Sequence, residues 1–217
     1  MSRSLLFILF VICGTASVYA QGFAGEIANF KKQDSLRFPV KDQLLFVGSS
    51  SFRKWENVQE SFPSFPIINR RFGGSALPDV IYYEKEIIFP YHPRQVVIYA
   101  GENDIAASDT ITAQVVFKRF KTLYTDIRKL MPDVPVLFVS IKPSPSRWAQ
   151  RDRQKEANEF IKNYIDPLPY TAFVNIWNAM LDAEGNPTAE IFMEDKLHMN
   201  DKGYAIWQRM MQPYLVK

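Results

Sequence analysis

Three consecutive serines, Ser49-Ser50-Ser51, follow the run Leu44-Leu45-Phe46-Val47-Gly48 and precede Phe52. The apolar run has the pattern of a buried strand, and Gly48 breaks it into a turn that leads towards a predicted helix. A serine hydroxyl held at such a turn lies against the helix N-terminus, whose free N–H groups and dipole favour developing negative charge. That setting suits a nucleophile. It equally suits a helix cap, because serine is a preferred N-cap residue, so the serines alone do not choose between the two.

A serine nucleophile needs a base, and the chain holds only two histidines, His92 and His198. His92 lies in Pro90-Tyr91-His92-Pro93, directly before a predicted strand, and so belongs at the opposite sheet edge from Ser50, as a turn residue. His198 follows the last predicted strand in Asp195-Lys196-Leu197-His198 and precedes the final predicted helix. Asp195, three residues earlier, can orient the imidazole and stabilise its protonated form as it takes the serine proton. Taken alone, an Asp-x-x-His loop could also be a solvated ion pair.

Two further segments supply candidate donors. Gly101-Glu102-Asn103-Asp104 follows another predicted strand and brings a carboxamide to the same edge. Gly73-Gly74-Ser75 follows a weaker strand candidate, and the missing side chains there let a backbone N–H approach a substrate oxygen closely. With the Ser50 N–H, the Gly74 N–H and the Asn103 amide would give a tetrahedral oxyanion three donors. Each such donor is worth about 2.7–4 kcal/mol of barrier stabilisation.

The elements that must position these residues alternate along the chain. Predicted strands are Leu44 to Val47, Ile67 to Phe72, Val96 to Ala100, Val136 to Ile141 and Ala172 to Ile176, mostly near-continuous apolar runs of the kind buried on both faces. Between them, Ala113 to Met131 carries Val116, Phe117, Phe120, Leu123, Ile127 and Leu130 at helical spacing. Further helices are predicted after Ser50, at Asp79 to Ile88, at Arg151 to Ile165 and at Lys202 to Tyr214; Pro90, Pro132 and Pro167 act as stop signals. Strand–helix alternation with buried parallel strands implies an α/β fold, a three-layer α/β/α sandwich of about five parallel strands, whose loops at the carboxyl ends of the strands build the site. Gln21 to Asp42 is expected as a leading arm to a single domain spanning residues 43–217.

In that order, after successive strands, Ser50, Gly74, Asn103 and His198 resemble the four blocks of the SGNH (GDSL-like) hydrolases, over roughly Leu44 to Tyr214. Gly48-Ser49-Ser50-Ser51 stands at the Gly-Asp-Ser-Leu block, Gly74 at the glycine block, Gly101 to Asp104 at the Gly-x-Asn-Asp block, and Asp195 to His198 at the Asp-x-x-His block. Ser49 replaces the usual Asp and Ser51 the usual Leu, so alignment on Gly48 assigns Ser50 as nucleophile and leaves Ser51 as the fallback. Arg71 stands where related sequences often carry glycine, and would narrow the pocket or bind an anionic substrate group. The resemblance implies a flavodoxin-like fold and cofactor-free hydrolysis of esters, similar to platelet-activating-factor acetylhydrolase subunits and carbohydrate acetylesterases.

The loop Ile141 to Trp148, Ile-Lys-Pro-Ser-Pro-Ser-Arg-Trp, is expected to overhang the same edge. Arg147 and Trp148 would form a substrate wall there, or Trp148 would instead pack on the next helix.

Composition narrows the setting. A 217-residue chain that is 47% hydrophobic and 23% charged fits one compact globular domain. Met1 to Ala20 combines Arg3, an apolar run from Leu5 to Cys13 and the ending Val18-Tyr19-Ala20, a secretory signal pattern with cleavage expected after Ala20. The apolar run is shorter than the ~20 residues that span a bilayer, and Ile12 before Cys13 argues against lipidation. The mature chain would then lack cysteine, which excludes disulfides, thiolate metal sites and a cysteine nucleophile. Its formal charge would fall from +3 to +2, too small to imply a nucleic-acid partner.

A secreted or periplasmic serine esterase acting on short acyl groups, such as acetate on a carbohydrate, is therefore expected, with no metal or organic cofactor. A lipid acylhydrolase is the alternative activity. A glycan-binding module on the same fold is the alternative class, and it would not need Ser50, Asp195 and His198 to converge.

Overall fold

The computed structural model describes residues 20–217. The predicted leader, apart from its last residue, lies outside the described residues. Five parallel strands form the sheet: β1 (Leu44–Gly48), β2 (Ile67–Arg71), β3 (Gln95–Tyr99), β4 (Val136–Val139) and β5 (Thr171–Val174). Their order is β2-β1-β3-β4-β5, the flavodoxin-like arrangement in which β1 and β3 flank the point where the winding reverses. In such sheets the crevice outside the carboxyl ends of those two strands is where ligands bind.

The two faces of the sheet carry separate cores because side chains alternate along each strand. Leu45, Val47, Ile68, Val96, Ile98, Val136, Phe138 and Phe173 face one core. It is covered by α1 (Ala24–Leu36), the short α4 (Leu77–Tyr82) and α5 (Glu84–Ile87), α7 (Ala113–Leu130) and α8 (Arg151–Ile165). Leu44, Phe46, Val97, Tyr99, Leu137, Val139 and Val174 face the other. There the cover is α2 (Ser50–Arg53), α3 (Val58–Ser61) and α9 (Asp201–Met211). The remaining short helix, α6 (Glu102–Ala107), follows β3 at the carboxyl edge.

Helix boundaries depart from expectation where local spacing is a poor guide. The segment predicted as one helix from Asp79 to Ile88 is two short helices separated at Tyr83, which takes φ −100°, ψ 7°. Leu130, expected on the buried face of α7, is 58% exposed at the helix end, while Val116, Phe120, Leu123 and Ile127 are buried. The last helix ends at Met211 and continues only as a 3-10 turn through Gln212–Tyr214, where Pro213 breaks the α pattern. The expected leading arm is largely α1, which packs Ile27 into the first core, with Phe23 and Phe30 against it.

Candidate active site

Ser50 opens α2 directly beyond β1. The turn depends on Gly48, whose φ of 131° belongs to the region glycine tolerates best. A Cβ at this position would stand 1.9 Å from the Tyr99 carbonyl oxygen on β3, so a side chain and the present strand spacing exclude each other. Behind the turn, Phe52, Trp55, Tyr204 and Trp207 form an aromatic cluster, with Trp55 and Tyr204 stacked at 5.0 Å and 20°. The Tyr204 hydroxyl donates to the Ser51 carbonyl at 2.8 Å, tying α9 to α2.

His198 reaches Ser50 from the loop before α9. Its Nε2 lies 2.9 Å from Ser50 Oγ, and its Nδ1 lies 2.6 Å from Asp195 Oδ2. The second oxygen of Asp195 accepts from the backbone N–H groups of Leu197 at 2.9 Å and His198 at 2.8 Å. Partial burial would raise the Asp195 carboxyl, but the hydrogen bonds from the His198 ring and from those two amides outweigh it and hold the group at about 2. Asp195 is therefore an anion at any pH of ordinary assay. A hydroxyl bonded to one imidazole nitrogen with an anionic carboxylate on the other is the geometry that moves a proton off the hydroxyl.

The loop is fixed at several points. Met193 N–H donates to the His198 carbonyl at 2.7 Å, and Ser146 N–H donates to the Lys196 carbonyl at 3.1 Å. Asn200 caps α9 through Oδ1, which accepts from Lys202 and Gly203, while its Nδ2 donates to the Glu190 and Phe192 carbonyls. The Asn-Asp pair before an apolar-periodic run was a readable cap signal, but its second job of pinning the histidine loop depends on chain folded back from Glu190.

Asn103 and Gly74 lie with Ser50 and His198 around one cleft of about 520 Å³, which Gly73, Arg53, Lys54, Glu56, Arg147 and Leu197 complete. One N–H of the Asn103 amide donates to the Ser75 carbonyl at 3.0 Å, which aims the group and leaves its second N–H for a ligand. Gly74 takes φ 84°, and a Cβ there would meet nothing within 4 Å; its conformation, rather than crowding, favours glycine. Asp104, fully buried, fastens the same loop by accepting from Leu77 N–H at 2.9 Å and from Arg119 at 2.7 Å.

Ser51, the fallback nucleophile, is buried at 2% exposure, and its side chain is hydrogen-bonded to Tyr99. His92 stands in a left-handed turn before β3, at the far end of the sheet, its carbonyl accepting from Asp42 N–H. Arg147 lines the cleft, but Trp148 does not: its ring stacks on Trp177 at 6.1 Å with Arg151 over it. Arg71 is not among the cleft-lining residues either. Its guanidinium is buried and donates to the Trp55 carbonyl at 2.6 Å.

A buried ionic cluster joins the cleft through Arg147. Lys142 and Glu102, both buried, meet at 2.8 Å through both carboxylate oxygens, Tyr99 donates to Glu102 at 2.5 Å, and Arg147 approaches it at 3.4 Å. Burial opposes ionisation of Glu102, but Lys142 and Arg147 together hold its carboxyl below the usual range. Residues 40 apart in sequence make this pair, and no local spacing announces it.

Among the described residues no cluster of His, Cys, Asp and Glu could hold a metal ion. Residues 46–206 match the GDSL-like Lipase/Acylhydrolase family. No curated protein matches the chain. Among solved structures, a protein from Streptococcus pneumonia, provisionally assigned as a platelet activating factor, superposes with a TM-score of 0.78 at 18% identity, covering 91% of this chain and 95% of its own. A GDSL-like lipase from Bacteroides thetaiotaomicron gives 0.69 at 21% identity, covering 90% and 96%. An acetylxylan esterase from Geobacillus stearothermophilus, solved as a catalytic mutant, gives 0.64 at 14% identity, covering 81% and 94%. These likenesses establish a shared fold, and the family match extends over most of the described chain. The protein belongs to the GDSL-like lipase/acylhydrolase family and is an esterase or acylhydrolase acting on ester bonds.

Proposed function

We propose that the protein hydrolyses short-acyl carboxylic esters, acetyl esters first among them, through an acyl-enzyme on Ser50. The observation that carries this reading is the unbroken chain Ser50 Oγ, His198 Nε2, His198 Nδ1, Asp195 Oδ2, with links of 2.9 and 2.6 Å. A glycan-binding module has no need of that convergence.

In the first half-reaction Ser50 Oγ attacks the ester carbonyl carbon while His198 Nε2 takes its proton. The carbonyl oxygen becomes an oxyanion within reach of the Ser50 and Gly74 N–H groups and the free Asn103 N–H. His198 then gives its proton to the departing alcohol oxygen as the C–O bond breaks. In the second half-reaction His198 takes a proton from water, the hydroxide adds to the acyl carbon, and the acid leaves as Ser50 recovers its proton. Asp195, ionised throughout, keeps the imidazole oriented and stabilises its cationic form.

The cleft lining favours a short acyl group. Of its residues only Leu197 presents an apolar side chain; the others are glycine, polar or charged. A long alkyl chain would gain about 0.8 kcal/mol for each methylene buried against apolar surface, and this lining offers little. The acetylxylan esterase among the fold relatives is consistent with an acetyl substrate. The test is a series of p-nitrophenyl esters. kcat/KM is expected to fall at least about tenfold from acetate to octanoate; a rise with chain length would instead favour a lipid acylhydrolase.

Export to the periplasm or outside the cell is part of the same proposal, supported by the composition of Met1 to Ala20. No helix among the described residues is long and apolar enough to cross a membrane. N-terminal sequencing of the protein recovered outside the cytoplasm is expected to begin at Gln21. Recovery only of the intact Met1 form, inside the cell, would contradict it.

A further inference from the structure

The helix that presents Ser50 is too short to hold its own shape. α2 is four residues long, and the N–H groups of Phe52, Arg53 and Lys54 close its one turn on the Ser49 and Ser50 carbonyls. A single turn does not recover the cost of ordering it, so its placement has to come from side chains outside it. Tyr204 supplies one restraint, through the Ser51 carbonyl. Another comes from Arg71.

Arg71 is the last residue of β2 and pairs with Gly48 across the sheet, while the Phe72 N–H donates to the Gly48 carbonyl at 3.1 Å. Its root is therefore fixed to the turn that carries Ser50. Side chains alternate along the strand: Arg70 bonds Asp34 on α1, and Arg71 turns to the other face, where its Nη1 donates to the Trp55 carbonyl at 2.6 Å. That carbonyl lies just past the end of α2, where the last carbonyls of a helix lack intrahelical partners and a cationic donor is favoured. Trp55 is itself firmly seated: it is fully buried, stacked on Tyr204, and donates from Nε1 to Ser61 Oγ at 3.0 Å. The chain from Gly48 through Ser50 and α2 to Trp55 thus returns through Arg71 to Gly48 as a closed ring. Related sequences often carry glycine at this position, and a glycine would leave the ring open. Burial pulls the Arg71 pKa down to about 10, which leaves it a cation at neutral pH. Among the described residues no ion pair neutralises it, and Glu56 acts on it only at longer range. A buried cation without an anion is costly, so its bond to the Trp55 carbonyl serves the fold or the chemistry.

We propose that Arg71 is a positioning residue for the nucleophile: by holding the Trp55 carbonyl it anchors α2 to the end of β2, and so sets where the Ser50 hydroxyl and N–H stand relative to His198 and an incoming ester carbonyl. The proposal rests on the ester-hydrolase reading, with Ser50 as nucleophile. Arg71 touches no substrate in it and acts only through α2.

The experiment labels the protein with a fluorophosphonate, in which Ser50 Oγ bonds to phosphorus as fluoride leaves and His198 takes the serine proton. The final extent of labelling counts the folded, competent sites, whereas the rate constant reads how well Ser50 is placed. A merely structural role would move only the extent. Arg71→Met is expected to slow labelling, and to lower kcat/KM for p-nitrophenyl acetate, by about 10–100-fold, the scale of a misplacement near 1 Å, with the extent unchanged. Arg71→Lys keeps a cationic donor for the one carbonyl and should restore most of both rates. Arg71→Gln, polar but too short to reach the Trp55 carbonyl from the strand, repeats the test should the methionine variant fail to fold. A folded methionine or glutamine variant that is labelled at close to the wild-type rate overturns the proposal and leaves the esterase reading intact. So does a fall in extent at an unchanged rate, or a lysine variant no faster than the methionine one. If the wild type neither takes the label nor cleaves p-nitrophenyl acetate, the ester-hydrolase reading fails first, and this proposal with it.

Discussion

Ser50→Ala is expected to lower kcat for p-nitrophenyl acetate by about 10⁴-fold or more, with the fold and melting temperature little changed. The magnitude follows from the unit the serine belongs to. Removing the nucleophile of a Ser-His-Asp constellation forfeits the covalent route and leaves only what binding and the oxyanion donors give. Ser50 is half-buried at the cleft and its hydroxyl is hydrogen-bonded to His198, so its loss opens no core cavity. Ser51→Ala is the matching control. Ser51 is buried, its side chain bonded to Tyr99 and its carbonyl to the Tyr204 hydroxyl, and its replacement should cost activity far less than the Ser50 change. A Ser51→Ala protein as inactive as Ser50→Ala, or a Ser50→Ala protein that stays active, would move the chemistry elsewhere.

The second large effect concerns stability. Glu102→Gln is expected to destabilise the protein by about 3–5 kcal/mol, because it leaves the ammonium of Lys142 buried with no anion. For a chain of this length that corresponds to a fall of roughly 6–20 °C in melting temperature. Lys142 is 0% exposed and Glu102 3%, so water cannot take over the missing partner. Arg147 remains close by and worsens the imbalance, since two cations then share a site in which no carboxylate is in contact with the ammonium and Asp195 acts on it only at longer range. Adding Lys142→Met should return most of the loss, as replacing a whole buried pair costs far less than breaking it. Urea unfolding of the three variants checks this. A Glu102→Gln protein within about 1 kcal/mol of wild type would show that the ammonium sheds its charge or escapes to water.

The sheet was readable because strands buried on both faces leave near-continuous apolar runs. Leu44 to Val47 and Val96 to Ala100 each match the observed strand to within a residue at either end. The base could be chosen because only two histidines exist and His92 precedes a strand while His198 follows one. Helix ends were less legible: the break at Tyr83 and the exposure of Leu130 are set by packing partners that spacing does not reveal. Trp148 illustrates the same limit within the site. The loop that carries it does reach the cleft, through Arg147, yet the indole turns away onto Trp177, a partner 29 positions further on. Arg71 stands out in the sequence at its position, but only the folded chain shows its guanidinium buried against the Trp55 carbonyl rather than lining the cleft.

Gly48 has an implication for how this site can change over evolutionary time. The nucleophile and the Asn103 amide ride on neighbouring strands, and at their closest approach the gap is set by a bare α-carbon against the Tyr99 carbonyl. Any larger residue would wedge β1 from β3 and carry Ser50 away from its oxyanion donor at the same stroke. The glycine acts as the gauge block of the site, the part that fixes the spacing from which the nucleophile and its oxyanion donor are both measured.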